Sequence, residues 1–181
     1  GAVAADEIAV IEEERCSYCY GGIEGMFEHP LLSLRAYREP LRLATAAACM
    51  LGIDPAPLSG FAALPGRMAI SQEGQVLIVD NASSGACRET AIEAAAYARR
   101  LAGAAPLTLV IGTEGRTICE GFPVEEVRAA IREIAPAQTV TVGDYSDVGD
   151  ESASDLTSGI RIARRITQDG GVILLAVKSW R

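Results

Sequence analysis

The sequence predicts a three-layer α/β protein, a mostly parallel sheet with helices on both faces, preceded by an incomplete α+β segment. Three observations carry this. From Arg67 onward, short apolar runs alternate with amphipathic stretches of helical period. Each apolar run ends in a polar, glycine-containing or hydroxyl-rich turn. The first third of the chain lacks that alternation. Apolar runs too short to be helices, separated by helices, are the pattern of strands buried on both faces.

The front segment reads as a set of elements that does not close. Ile8-Ala9-Val10-Ile11 suits a strand and is followed by the acidic run Glu12-Glu13-Glu14. "YGGIEG" reads as a loop and "HPLLSLRAY" as another strand. Residues 39–52 predict a helix, with Pro40 at its first position and Gly52 just past its end. Leu41, Ala44, Ala48 and Leu51 would share its inner face. A short helix from Ala56 to Ala62 and a turn at Pro65-Gly66 follow, and the prolines and glycines there mark a domain boundary. Residues 1–65 are therefore one incomplete unit and 66–181 a second domain.

In the second domain the strands are Val76–Val79, Leu107–Ile111, Thr139–Val142 and Val172–Val177. The helices are Ser84–Leu101, Pro123–Ile134 and Ala153–Thr167, with a polar loop over Asp144–Ser152. Val124, Val127, Ile131 and Ile134 line one helix face, and Leu156, Ile160, Ala163 and Ile166 another.

Composition narrows the function. The chain has 181 residues, 49% of them apolar, 5% aromatic and 22% charged, with a net charge of −8. That charge argues against a nucleic-acid binder, which needs a basic face. A local anion site remains open, because backbone N–H groups hold phosphates without lysine. No apolar run is long enough to span a membrane, and the acidic amino end is no signal peptide. Five cysteines, an odd number, suit free thiols in the cytoplasm. Cys16-Ser-Tyr-Cys19 is a lone pair with His29 ten residues on, so no metal site is expected. Asp144, Asp147, Asp150 and Asp155 read as a solvated loop with a helix cap.

Ligands of open parallel sheets sit beyond the carboxyl ends of the strands. Those ends here are Asp80-Asn81-Ala82-Ser83-Ser84-Gly85, Gly112-Thr113-Glu114-Gly115-Arg116, Gly143-Asp144-Tyr145 and Lys178-Ser179-Trp180-Arg181. Ser84 suits the cap of the next helix. That one role leaves Asp80, Asn81 and Ser83 to be explained. Arg88, one turn in, adds a full positive charge, and Cys87 in the same turn reads as a small buried thiol. The phosphate loop G-x-x-x-x-G-K-[ST], the dinucleotide fingerprint and the hydrolase G-x-S-x-G are all absent.

"LGIDPAPLSGFAALPGRMAISQEGQVLIVDNASSGACRETAIEAAAYAR" resembles the junction into the C-terminal domain of the Mur ligase family. Gly66-Arg67-Met68 matches its G-R-M/F turn, and Asp80-Asn81-Ala82-Ser83 stands where the family has D-Y-A-H. Val177-Lys178-Ser179-Trp180 stands for the closing G-K-G-H. The resemblance covers about residues 40–181. It implies a Rossmann-like domain that closes over a nucleotide held, with Mg2+, mainly by an upstream domain. ATP phosphorylates a carboxylate, and an amine attacks the acyl phosphate to form an amide. Arg67 and Asp80 would face the nucleotide, and Asn81, Ser83, Ser84, Arg88 and Lys178 the substrate. Residues 1–65 would be the tail of the central ATPase-type domain. Without a phosphate loop the chain is expected to be part of a longer protein and inactive alone.

The lost aromatic and His of D-Y-A-H argue against muramyl peptides. They point to an archaeal branch of the family that acts on a tetrapyrrole, a nickel-corphin carboxylate. A muramyl-peptide ligase is one alternative. A non-catalytic α/β module for a small anion or a protein partner, and a complete flavodoxin-like protein, are others. The expected partners are small-molecule acid and amine substrates, with no nucleic acid and no membrane.

Overall fold

The computed structural model describes residues 3–115 and 121–180. Arg116 and Arg181, named above, and Cys119, one of the five cysteines, lie outside the described residues. The chain divides into two compact units, residues up to Ala62 and residues from Ala63.

In the first unit a short helix, α1 (Ala5–Ile8), leads into three strands, β1 (Ala9–Glu12), β2 (Arg15–Tyr20) and β3 (Ile23–Glu28). They form an antiparallel sheet in the order β1-β2-β3, with Cys16 opposite both Ile11 and Phe27. A 3-10 turn (Pro30–Ser33) and helix α2 (Arg35–Met50) follow, and α2 packs on β1 and β2. The strand expected over "HPLLSLRAY" is thus a 3-10 turn and the start of a helix. His29 decides it: its Nδ1 accepts the Leu31 N–H at 3.1 Å and caps the turn. Pro40 consequently lies inside α2 rather than at its first position. The inner face of α2 is also rotated from the expected one, and Leu41, Thr45, Ala46 and Cys49 are buried. Thr45 tolerates this because its hydroxyl donates to the Leu41 carbonyl at 2.7 Å. Leu51, expected inside, is 76% exposed. The helix expected over Ala56–Ala62 is a 3-10 turn over Ala56–Gly60.

The second unit holds β4 (Ala69–Glu73), β5 (Val76–Asp80), α3 (Arg88–Ala102), β6 (Leu107–Thr113) and α4 (Val124–Ile134). It continues with β7 (Gln138–Val142), β8 (Glu151–Ala153), α5 (Leu156–Ile166) and β9 (Val172–Lys178). Six strands form one sheet in the order β4-β5-β9-β6-β7-β8. All neighbours are parallel except the β4–β5 hairpin at one edge. Helices α3 and α4 contact each other, and α5 lies on β6, β7, β8 and β9. Ile78, Val110, Val140, Ile173 and Leu175 form one apolar cluster with Leu156 and Ala163 of α5. Their strand neighbours Val79, Leu109, Thr139 and Leu174 are also buried and point to the opposite face, as the two-residue period requires. The sheet is thus covered on both sides, as expected. The strands β4 and β8 were not expected; both are short or mostly exposed edges.

Candidate functional site

The carboxyl ends of β5, β6 and β9 are laced together by hydrogen bonds. The register sets Thr113 beside Lys178, and the Glu114 N–H donates to the Lys178 carbonyl at 2.9 Å. The Ser179 N–H donates to the Ser83 carbonyl at 3.2 Å, and the Ser179 hydroxyl donates to Glu114 Oε2 at 2.6 Å. The second Glu114 oxygen accepts the Leu156 N–H at 3.2 Å, at the first turn of α5. A carboxylate is favoured there by the helix dipole. Glu114 and Ser179 were not among the expected site residues. Their partners lie 42 and 65 residues away in sequence, so no local pattern announces them.

Asp80, at the end of β5, accepts the Gly66 N–H at 3.1 Å through Oδ2 and the Ala82 N–H at 3.1 Å through Oδ1. It thereby ties the Pro65-Gly66 turn to the loop after β5. The next residue, Arg67, is exposed, and its Nη1 lies 4.0 Å from where a Cβ on Gly85 would stand. The Ser83 hydroxyl lies 3.9 Å from the same point. Among the described residues neither Arg67 nor Lys178 forms an ion pair, whereas Arg88, Arg128, Arg164 and Arg165 do. Arg67, at the loop after β5, and Lys178, at the end of β9, are thus two cations without an ion pair among the described residues, a pairing suited to an anionic group.

The remaining expected residues divide. Asn81 donates through Nδ2 to the Thr90 carbonyl at 3.3 Å, holding the loop against α3. Ser83 is buried, and its carbonyl also accepts the Ala86 N–H. Ser84 does not cap α3: the cap is Cys87, whose N–H donates to Thr90 Oγ1 at 3.0 Å. The helix starts four residues later than expected, because the turn closed by Ser83 and Ala86 intervenes. Ser84 is left half-buried in that turn. Arg88 pairs with Glu133 of α4 at 2.7 Å, so its charge is engaged between helices.

A hollow of about 430 Å³ opens at the ends of β6 and β7 beside Thr113, Gly115, Phe122, Gly143, Asp144 and Tyr145. The Tyr145 hydroxyl donates to the Phe122 carbonyl, and the Phe122 N–H donates to Thr113 Oγ1 at 2.9 Å. Two glycines permit the closeness of the strands here. A Cβ on Gly112 would lie 2.2 Å from the Val142 carbonyl oxygen, and one on Gly143 2.5 Å from that of Thr113.

Among the described residues no group of three His, Cys, Asp or Glu side chains is placed to hold a metal ion. Cys16 is buried and Cys19 exposed, on opposite faces of β2, so the pair does not converge. Burial pushes the Cys16 and Cys49 thiols up, which keeps them protonated. The Asp144–Asp155 loop is held by structural bonds. Asp155 caps α5 by accepting the Ser158 N–H at 2.8 Å, Asp150 accepts the Thr139 N–H at 2.8 Å, and Asp147 pairs with Arg128. His29 is fully engaged, since its Nε2 also meets the Phe61 carbonyl at 2.8 Å.

The fold defines the class. MurF ligase from Thermotoga maritima, solved in complex with ADP, superposes with a TM-score of 0.59 at 13% identity, over 94% of this chain and 42% of that one. A pseudomurein peptide ligase type C from Methanothermus fervidus gives 0.56 at 15% identity, over 93% and 38%. The architecture is therefore that of Mur-type ligases. Residues 70–179 match the family model "Coenzyme F430 synthetase CfbE, C-terminal domain", and the chain belongs to that family. A coenzyme F(430) synthetase from Methanosarcina acetivorans is 30% identical over an alignment 159 residues long, gaps included, that covers 81% of this chain and 34% of that protein. The chain thus spans about a third of the length of this relative. No helix among the described residues is long and apolar enough to cross a membrane.

Proposed function

We propose that the full-length protein is an ATP-dependent ligase of the Mur type that acts at the carboxylate of a nickel-corphin tetrapyrrole, with an amide as the linkage the family pattern implies. The observation that carries this reading is the match of residues 70–179 to the F430 synthetase C-terminal domain. The site is consistent with it. Arg67 offers a guanidinium, without an ion pair among the described residues, beside the exposed backbone of Gly85, which fits a phosphate or carboxylate oxygen. Asp80 holds the turn that carries Arg67, so it acts through position rather than contact. Asn81 and Ser83 fix the loop, and Ser84 and Lys178 remain half-exposed toward a substrate.

In this reading residues 1–65 are the tail of a central ATPase-type domain and residues 66–181 the closing domain. ATP would supply the activation of the carboxylate. Mg2+, like ATP, would be held mainly by the upstream domain. We place the reaction in the cytoplasm, where ATP is available.

The test is a product assay on the full-length protein with ATP, Mg2+, a mixture of amino acids and ammonium as amine donors, and one of two acids, a ring-open nickel-corphin carboxylic acid or a muramyl peptide. Mass analysis of a condensed product from the corphin alone supports the reading. Condensation of the muramyl peptide alone transfers the chain to the peptidoglycan branch.

A further inference from the structure

We propose that Trp180 is a stacking platform for the flat face of the tetrapyrrole, a specificity-determining contact that rests on the ligase reading above. Trp180 is the only tryptophan of a chain poor in aromatics, and it is 66% exposed. A single exposed apolar side chain needs no explanation by itself. Its mounting gives this one a meaning. The residue before it, Ser179, is fully buried and held at both its N–H and its hydroxyl, by Ser83 and Glu114. The Lys178 carbonyl is held by the Glu114 N–H. The indole therefore leaves the sheet from a rigid point at the carboxyl end of β9, the end at which such sheets take their ligands.

Its setting specifies the ligand. Arg67 and Lys178, on the same rim, have no ion-pair partner among the described residues. An exposed aromatic face at strand ends that also carry two cationic side chains, without an ion pair among the described residues, suits a ligand that is flat, wide and anionic. A tetrapyrrole with carboxylate arms has those three properties, and indole offers the broadest π-face among side chains. Where the Mur pattern closes in G-K-G-H, this chain has Val177-Lys178-Ser179-Trp180, so the change lies at the rim itself.

The experiment uses the chain with nickel(II) uroporphyrin as probe, following the probe's own visible absorption band. Wild type, Trp180→Phe and Trp180→Leu are compared, with far-UV circular dichroism as the folding control and ATP titrated in parallel. Saturable binding that weakens about tenfold in Trp180→Leu and is largely kept in Trp180→Phe is the expected result. Equal binding by wild type and Trp180→Leu overturns the proposal and leaves the tetrapyrrole reading intact. Weakened ATP binding with unchanged porphyrin binding assigns the indole to the nucleotide, and also overturns it. No saturable porphyrin binding by wild type overturns it too, while the product assay decides the ligase reading separately.

Discussion

Asp80 and Tyr18 show how single polar residues organise the two units. Asp80 places one oxygen on each of two backbone N–H groups and so couples the Gly66-Arg67 turn to the end of β5. In the first unit the Tyr18 hydroxyl donates to Asp54 Oδ1 at 2.6 Å. Burial, and then the Asp54 carboxylate, push the Tyr18 pKa up to about 12. The Tyr18 hydrogen bond holds Asp54 below the usual carboxylate range. The signs of the two linkages are opposite. An unfolded tyrosine ionises near pH 10 while the folded Tyr18 stays neutral to about 12, so stability falls as pH rises through that window. The Asp54 contribution is present at neutral pH and is lost on acidification through its lowered pKa. Urea midpoints followed by circular dichroism should fall between pH 10 and 12 in wild type and fall less in Tyr18→Phe. Equal slopes for the two proteins would remove Tyr18 from the account.

At the scale of elements, the site depends on how closely α5 lies on the sheet. Gly159 faces Val142 and Val110, and a Cβ there would stand 2.9 and 3.1 Å from their methyl groups. The first turn of the same helix is gripped by Asp155 and Glu114. Pushing the helix outward would therefore pull on Glu114 and, through it, on Ser179. Gly159→Val should destabilise the second unit by about 1–3 kcal/mol, as overpacking does. The measurement is the urea midpoint read from Trp180 fluorescence, which reports the second unit alone. An unchanged midpoint would mean that α5 has room to spare.

At the scale of the molecule, the parallel sheet was legible because its strands are uninterrupted apolar runs, such as Leu107–Ile111 and Val172–Val177. The first unit was harder to read. Its β2 buries only Cys16 and Tyr18, among Arg15, Ser17 and Cys19, and β3 buries only Phe27. The signal that remained was Gly21-Gly22, both at positive φ, a two-residue hairpin turn between Tyr20 and Ile23. The edge strand β4 is nearly all exposed, so it carries no apolar run to find. Of the site, the loops were legible from their position after strands. Glu114 and Ser179 were not, because the contact that defines them is made by the fold. The central claim is that this chain closes over chemistry performed with the rest of a longer ligase. The most direct measurement is ADP release from ATP, in the presence of the corphin acid, by the full-length protein and by the 181-residue chain side by side. The account predicts acid-dependent ADP release by the full-length protein and none by the chain. Turnover by the chain alone, or none by either, would contradict it.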